Sequence, residues 1–516
     1  MSPTSSALIS EPRANRRAKR NRRSALALVA LLALTVGVSE WLKPAHAPSN
    51  AAANSGWRSQ ARVDPKEHRS TWFCAAGTSQ PGGRADETLT VANIGGARAF
   101  TAEIKVSVMT GVGVSPSKFD FKLAPVGNAN SAATGLPSIR SIPVSTILAS
   151  PDPGIVIEAT GAPVVVTHSV AGAGDVATSP CARGGSPEWY FGGGTTVLGA
   201  EQWLTLFNPF PGDAVVDLTF FTGIGVEEPS DAQGVVVAGT SRLSIPVHDL
   251  VPRRDAVATR VTTRRGRVIA EQVQSLDGRD GRRGITLTAG VPRLAKQWWF
   301  SGATAANGRI TTASILNPGA RRVSIRLDTA LVGAVTLGPI DIEVPPRSVV
   351  VTNVSSRVPA GTPFAWRLSL RDSERKSGES SAGIAVEALV SQSGISAGLA
   401  ADSGTPLASS SWYLMAPDLL GGDTREVAIF NTSNKQVKWS LRTLDRGAES
   451  GLRRGTLAPW ALSHQSVAVS GVLKVDADGL VAVSHASQGL RGTILSAGIP
   501  LCPSPLTGGA TGVSPC

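Results

Sequence analysis

The sequence is poor in the residues on which most enzymes depend. Its 516 residues include only 6 His, 4 Cys and 2 Tyr, and 17% are charged. No histidines are spaced as H-x-x-x-H, no cysteines form C-x-x-C, and neither a Walker A nor a G-x-G-x-x-G sequence occurs. We therefore predict no catalytic residue, no metal ligand and no cofactor.

Helical periodicity is also scarce. Apart from one run near the N-terminus, no segment has a sustained apolar stripe with a period of 3.6 residues. With 55 Gly, 34 Pro and 42% hydrophobic residues, the composition favours short strands joined by turns. This pattern predicts an all-β protein.

What the chain does contain is a fourfold internal repeat. An aromatic cluster opens each copy, and an Asn follows the tryptophan after 19 to 21 residues. The Trp–Asn pairs are Trp72 and Asn93, Trp189 and Asn208, Trp298 and Asn317, and Trp412 and Asn431. Seven or eight short strands per copy predict tandem immunoglobulin-like β-sandwiches. We place the four units at 71–187, 188–296, 297–410 and 411–501.

The N-terminus predicts export. Seven basic residues lie within 1–23, followed by an uncharged run and Trp41-Leu42. We interpret 24–42 as a transmembrane signal anchor with the basic tail in the cytoplasm, and 43–70 as a flexible linker. A cleavable signal peptide is the alternative, since Ala45-His46-Ala47 fits a cleavage site, although Pro48 follows it.

The four cysteines fit an exported chain. The simplest pairing is Cys74 with Cys181, and Cys502 with Cys516 in a disulfide-closed tail, 502–516; free buried thiols are the alternative. The connectivity stays open at this point.

Two short motifs attract attention without predicting chemistry. Gly394-Ile-Ser-Ala-Gly398 fits the G-x-S-x-G pattern of serine hydrolases, but we match it to the strand Gly284–Pro292 and its counterpart Gly492–Pro500. Asp277–Gly281 and Asp476–Gly479 offer two carboxylates each, fewer ligands than calcium needs, and read as hairpin turns.

The aromatic-x-x-Gly opening, the apolar run to Asn and the closing A-G-x-P resemble a family of secreted bacterial β-sandwich repeats, domain-of-unknown-function family 5719. The resemblance covers about residues 20–501. It implies an exported, membrane-tethered protein of the actinobacterial cell envelope. It brings no active site with it.

Two groups of residues are candidate binding sites. One is an arginine cluster that could bind anionic polymer or lipid headgroups, dock a protein, or be a solvated loop face. Its members are Arg253, Arg254, Arg260, Arg264, Arg265 and Arg267. The other is a set of tryptophans that could stack on sugars, although core packing is the preferred interpretation: Trp189, Trp298 and Trp412.

These observations predict a non-enzymatic, membrane-anchored envelope protein with a structural or adaptor role in glycan assembly or organisation. Its partners would be the membrane and an envelope protein or glycan. Nucleic acid is not expected outside the cell. The alternatives are a carbohydrate- or anionic-polymer-binding module, or an enzyme whose composite site lies between units. The arrangement of the units and the oligomeric state stay open.

Overall fold

The computed structural model describes residues 60–501 except 65, 96–99, 126–135, 372–382, 395–396, 417–424, 446–447, 469–470 and 490–491. All of these residues belong to one compact unit, 56–516. The predicted anchor at 24–42 and the tail with Cys502 and Cys516 lie outside the described residues. Within the described part, no helix is both long and apolar enough to cross a membrane.

The described strands fall into four successive repeats. Repeat 1 comprises β1 (Arg69–Cys74), β2 (Asp86–Asn93), β3 (Ala102–Met109), β4 (Ser117–Leu123), β5 (Ile139–Pro143), β6 (Gly154–Thr160), β7 (Val164–Gly172) and β8 (Asp175–Pro180). Repeat 2 comprises β9 (Glu188–Phe191), β10 (Ala200–Asn208), β11 (Ala214–Thr222), β12 (Gly225–Glu227), β13 (Val235–Val237), β14 (Ser241–Pro246), helix α1 (Val247–Leu250), β15 (Val257–Arg265), β16 (Ile269–Asp277) and β17 (Arg283–Ala289).

Repeats 3 and 4 follow the same order. Repeat 3 comprises β18 (Gln297–Thr304), β19 (Arg309–Asn317), β20 (Val323–Leu331), β21 (Val335–Val344), β22 (Ser348–Asn353), β23 (Pro363–Leu370), β24 (Ala385–Gln392) and β25 (Gly398–Asp402). Repeat 4 comprises β26 (Ser409–Ala416), β27 (Arg425–Asn431), β28 (Val437–Asp445), β29 (Ala448–Leu457), β30 (Leu462–Val467), β31 (Gly471–Gly489), β32 (Gly492–Ala497) and β33 (Ile499–Pro500). Two 3-10 turns, Val144–Thr146 and Ser230–Ala232, complete the described helical elements.

Each repeat is a sandwich of two antiparallel sheets. In repeat 1 the sheets have the orders β1-β6-β3-β4 and β5-β2-β7-β8, and repeats 2 and 3 have the same topology. In repeat 4 the long strand β31 pairs with β26 and β28 in its first part and with β27 and β32 in its second, so it belongs to both sheets. The prediction of an all-β fold built from sandwich repeats is confirmed.

The repeated tryptophans fill the space between the sheets. Trp72, Trp189, Trp298 and Trp412 are all at most 1% exposed. Burial of an indole requires a partner for its N–H, and three backbone carbonyls supply one. Trp189 donates to Val268 O at 2.7 Å, Trp298 to Ile384 O at 2.9 Å and Trp412 to Val481 O at 3.0 Å.

The repeated asparagine fixes the end of the second strand. Asn317 Oδ1 accepts the N–H of Gly319 at 3.1 Å, which is the turn geometry expected from the sequence. Its Nδ2 donates to Arg321 O at 2.7 Å and to Val344 O, at the end of β21 in the opposite sheet, at 3.3 Å. Asn208 and Asn431 make matching bonds, so this residue also ties the two sheets together.

The four repeats close into a ring around their last strands. We call β8, β17, β25 and β32 the axial strands: β8 packs on β17, β17 on β25, β25 on β32, and β32 back on β8. After each axial strand the chain returns to its own first strand, as in the pairing of Phe73 with Ala182 and of Tyr190 with Val291. The arrangement that the sequence left open is therefore compact and closed.

One carboxylate links all four axial strands. Asp175, at the start of β8, accepts the N–H of Val176, Ile285, Leu399 and Thr493, at 2.8, 3.3, 2.8 and 3.2 Å. Each donor belongs to a different repeat. A Cβ at Gly284, which begins the equivalent stretch of β17, would lie 2.2 Å from the Asp175 carboxylate, so glycine makes this convergence possible.

Candidate functional site

The joint between repeats 1 and 2 contains a buried ionic group. His168 on β7 lies between Glu87 on β2 and Glu271 on β16, with nitrogen–oxygen distances of 2.8 and 3.3 Å. The three side chains are completely buried. Glu271 Oε2 also accepts the N–H groups of Ala75 and Ala76, at 2.8 and 2.6 Å. Because Glu271 comes from repeat 2 and the other groups from repeat 1, this cluster fastens the joint.

Burial and the two carboxylates act in opposite directions on this imidazole. Burial lowers the pKa of His168, but Glu271 and Glu87 outweigh it and raise the pKa to about 10. Burial raises the pKa of Glu87. The imidazole is therefore held as a cation between two acids, an arrangement that is inaccessible to a substrate and suits a structural fastener.

The disulfide next to this cluster also argues against a metal. Sulfur atoms of Cys74 and Cys181 and a ring nitrogen of His168 lie within 4.8 Å of one another. The two cysteines are joined in a disulfide, so neither offers a thiolate ligand. The predicted Cys74–Cys181 bridge is thus present, whereas the predicted Cys502–Cys516 bridge lies outside the described residues.

At the joint between repeats 2 and 3, the positions that correspond to Glu87, His168 and Glu271 hold fewer charged side chains. Strand pairing makes Gln272 the counterpart of His168, and Gln202 the counterpart of Glu87. Gln202 Nε2 donates to Gln272 Oε1 at 2.9 Å, and Gln272 Nε2 donates to Gly193 O at 3.0 Å. Burial raises the pKa of Glu387, which replaces Glu271 here, to about 8. This joint is held by amides and a carboxyl group that gains a proton easily.

The joint between repeats 3 and 4 is nearly neutral at these positions and opens outward into a cleft. The Glu271 position is Ser484, whose hydroxyl lies 3.0 Å from Ser301 Oγ. Above this contact is a cavity of about 280 Å³ between the repeats. Its polar lining comprises Thr304, Arg309, Glu426, His464, Ser487 and Thr493.

Two of the lining residues form an acid–imidazole pair. His464 Nδ1 lies 3.3 Å from Glu426 Oε2. Burial lowers the pKa of His464, and the neighbouring Glu426 only partly opposes this effect. A neutral imidazole beside a carboxylate can accept and donate hydrogen bonds to a ligand in the cleft.

A smaller cavity, of about 110 Å³, lies at the far ends of the axial strands. All four repeats line it, and Asp402 of β25 occupies the position that Ser179, Thr288 and Ser496 occupy in the other axial strands. Burial raises the pKa of Asp402 to about 6, although the carboxylate accepts the N–H of Gly404 at 2.8 Å. Asp175 therefore lies near one end of the bundle of axial strands, and Asp402 lies near the other end.

The tryptophans considered for sugar stacking are not on a surface. Trp189, Trp298 and Trp412 are at most 1% exposed, and their rings lie in the sandwich cores. This position agrees with the preferred interpretation of core packing and leaves no free face for a pyranose.

Five of the six arginines of the predicted cluster lie at the two ends of β15, and Arg260 lies within the strand. Arg253 and Arg254 precede β15, whereas Arg264 and Arg265 end it and Arg267 follows, which separates the two groups by about 30 Å along the strand. Three members pair with carboxylates: Arg254 with Glu227 at 2.7 Å, and Arg260 with Glu188 and Arg264 with Asp217, each at 2.6 Å. A single anionic site that uses all six is incompatible with this separation.

The alignment of the G-x-S-x-G segment was wrong by four residues. Gln392, the last residue of β24, pairs with Gly398, the first residue of β25, so the axial strand begins at Gly398 and not at Gly394. The true counterpart of Gly284–Pro292 is Gly398–Pro406, as the matching bridges at Val291 and Thr405 show. A nucleophile elbow still does not result, because the segment leads into strand β25 and an elbow leads into a helix.

Comparison with known proteins gives a family match over part of the chain and no activity. The family described as "Family of unknown function (DUF5719)" matches residues 143–293, which run from the end of β5 to just past β17, the last strand of repeat 2. No curated protein matches the chain. One solved structure, titled "Crystal structure of tetra-tandem repeat in extending region of large adhesion protein", is 10% identical and covers 84% of this chain and 99% of its own. Its TM-score of 0.10 is too low to support any statement about fold or function.

Proposed function

We propose that this chain is a non-enzymatic, membrane-anchored protein of an actinobacterial cell envelope that serves as a structural or adaptor component in glycan assembly or organisation. The observation that carries the proposal is the closed ring of four repeats. A ring whose repeats are tied by a buried ion cluster and a shared axial carboxylate, and whose first repeat is closed by a disulfide, is a rigid platform. Rigid scaffolds suit the presentation of surfaces to partners.

The anchor and the export of the chain belong to the same proposal. They rest on the basic residues and the apolar run of 1–42. The disulfide Cys74–Cys181 supports folding in an oxidising compartment.

In-cell cross-linking from the ring tests the adaptor role. A photo-reactive amino acid at an exposed hairpin position, such as Ile224 or Val335, should capture a membrane-bound enzyme of glycan assembly or the glycan itself. Exclusive capture of cytoplasmic proteins would contradict both the location and the role.

The runner-up function is carbohydrate binding, and the cleft between repeats 3 and 4 favours it. Ligand sites commonly lie between domains, with apolar walls and a few directed polar groups. Glu426 is the one carboxylate among the described residues that line this cleft, whereas glycoside hydrolysis ordinarily needs a pair. The lining therefore supports binding over cleavage, and the composite-enzyme alternative ranks below it.

A further inference from the structure

The cleft between repeats 3 and 4 is built from strands of both repeats. Gly302, Ala303, Thr304 and Arg309 come from the first two strands of repeat 3 or the turn between them. Glu426 lies on β27, and His464 lies on the neighbouring strand β30, where it pairs with Ala428. A Cβ at Gly302 would be 2.2 Å from Ser484 Oγ, so the two repeats are in contact at its floor. The cleft is therefore held open above a tightly packed base.

The equivalent space between repeats 1 and 2 is filled by the protein itself. Trp203 and Ser244 occupy the positions of Glu426 and His464, as the pairing of β10 with β14 shows. Arg84 of repeat 1 stacks 3.9 Å above the Trp203 ring, and Asp152 accepts a hydrogen bond from Ser244 at 2.5 Å. Arg242 is buried, and its Nη1 donates a hydrogen bond to Pro153 O at 2.8 Å.

The joint between repeats 2 and 3 also differs. There the positions of Glu426 and His464 are Thr312 and Val351, which cannot provide the same polar pair. Of the three joints whose matching residues are described, only the one between repeats 3 and 4 combines an open cavity with an acid–imidazole pair.

The lining restricts the chemistry of a ligand. The Arg309 guanidinium, whose Nε donates to Gln392 Oε1 at 3.0 Å, favours a carboxylate, while Glu426 repels a second anion. Thr493 Oγ1 is buried and has no hydrogen-bond partner among the described residues. A hydroxyl group of a ligand in the cleft would satisfy it. Ala303, Val390 and Ile494 supply small apolar walls. This mixture fits a ring that has C–H faces, several hydroxyls and one negative group.

The size of the cleft agrees with a single ring. Its volume of about 280 Å³ lies just below the range of about 300–1,000 Å³ for drug-sized ligand sites. We infer that the cleft between repeats 3 and 4 binds one acidic sugar residue, a hexuronate unit, with Arg309 directed to its carboxylate and Glu426 and His464 to its hydroxyls. This inference rests on the proposed role in the glycan envelope and names the ligand class.

Calorimetric titration of the purified full-length chain with glucuronate and with glucose tests the inference. We expect saturable binding of glucuronate that is about tenfold or more tighter than binding of glucose, because a charge-assisted pair is added. Arg309→Gln should remove the preference for glucuronate, and Glu426→Gln should weaken both sugars about tenfold. Thr304→Trp, at the half-exposed end of β18, should block the cleft and abolish binding.

Arg347→Gln is the matched control, because Arg347 is an exposed arginine of the same repeat but lies outside the cleft. It should leave both affinities unchanged. Equal affinity for the two sugars, no binding of either, or unaltered binding by Thr304→Trp would each overturn the inference. Thermal unfolding of every variant separates a lost site from a lost fold. Cross-linking of the Thr304→Trp protein in cells separates this inference from the adaptor role, which predicts that protein partners are still captured.

Discussion

The joints on opposite sides of the ring use one architecture for two purposes. Between repeats 1 and 2, Glu87, His168 and Glu271 fill the interface with buried charge. Between repeats 3 and 4, the matching position holds the neutral contact of Ser301 with Ser484, and a cavity remains above it. The axial strands pack in the same order at both joints, but the side chains differ, and so does the first strand: β18 continues to Thr304, whereas β1 ends at Cys74. One joint fastens the ring, and the other leaves space for a ligand.

The largest expected effect is loss of the disulfide that closes repeat 1. The Cys74–Cys181 bridge spans 107 residues, for which the chain-entropy relation gives about 4–5 kcal/mol of stability. Cys74→Ser with Cys181→Ser should lower the free energy of unfolding by this amount in urea titration. A change below about 1 kcal/mol would show that the His168 cluster alone holds this end of repeat 1.

Loss of the buried acid between repeats 1 and 2 should follow closely. Glu271→Ala leaves His168⁺ with one carboxylate and frees two backbone N–H groups, and breaking a buried ion pair costs about 3–5 kcal/mol. The matched variant between repeats 3 and 4, Ser484→Ala, removes one neutral hydrogen bond worth about 1 kcal/mol. Equal losses of unfolding free energy in the two variants would end the distinction between the joints.

The two ionisable joints should lose stability in different pH ranges. The folded pKa of His168 is about 10, above its ordinary value, so its contribution is complete below about pH 6.5 and is lost as the pH rises through 10. Glu387, with a pKa of about 8, contributes fully below about pH 4.5 and loses its contribution as the pH rises through 8. His168→Gln should flatten the upper range of a stability–pH curve and Glu387→Gln the lower range. The reverse assignment would contradict these protonation states.

The smallest expected effect on stability is at the open cleft. Glu426 is partly exposed and its contact with His464 is solvent-accessible, so Glu426→Gln should change the free energy of unfolding by less than about 1 kcal/mol. Urea titration beside Glu271→Ala provides the comparison. A loss as large as that of Glu271→Ala would mean that this pair is a second fastener and not part of a ligand site.

The fold was largely readable from repeated local patterns. Alternating strands, turn residues and four aromatic openings predicted β-sandwiches, because burial of one face of a strand imposes a two-residue period. One detail of the repeat alignment was wrong. Either Gly394 or Gly398 could match the glycine that begins the other axial strands, and only the pairing of Gln392 with Gly398 shows that Gly398 begins β25.

The candidate site was not readable in the same way. Arg309, Glu426 and His464 are separated by more than 150 residues in total and follow no catalytic spacing. The sequence contained a weak signal, since a charged residue and a histidine stand at positions where other repeats have Trp203 and Ser244, or Thr312 and Val351. Such substitutions gain meaning only when the neighbouring repeat is known.

The sequence by itself therefore determined the strands, the fourfold repeat and the position of the tryptophans, because these depend on local periodicity and on burial within one sandwich. Only the tertiary structure decided the ring, the carboxylate of Asp175 shared by four strands, and which joint is filled and which is open. These features depend on contacts between residues from different repeats, up to 318 positions apart, and no local pattern encodes such distances.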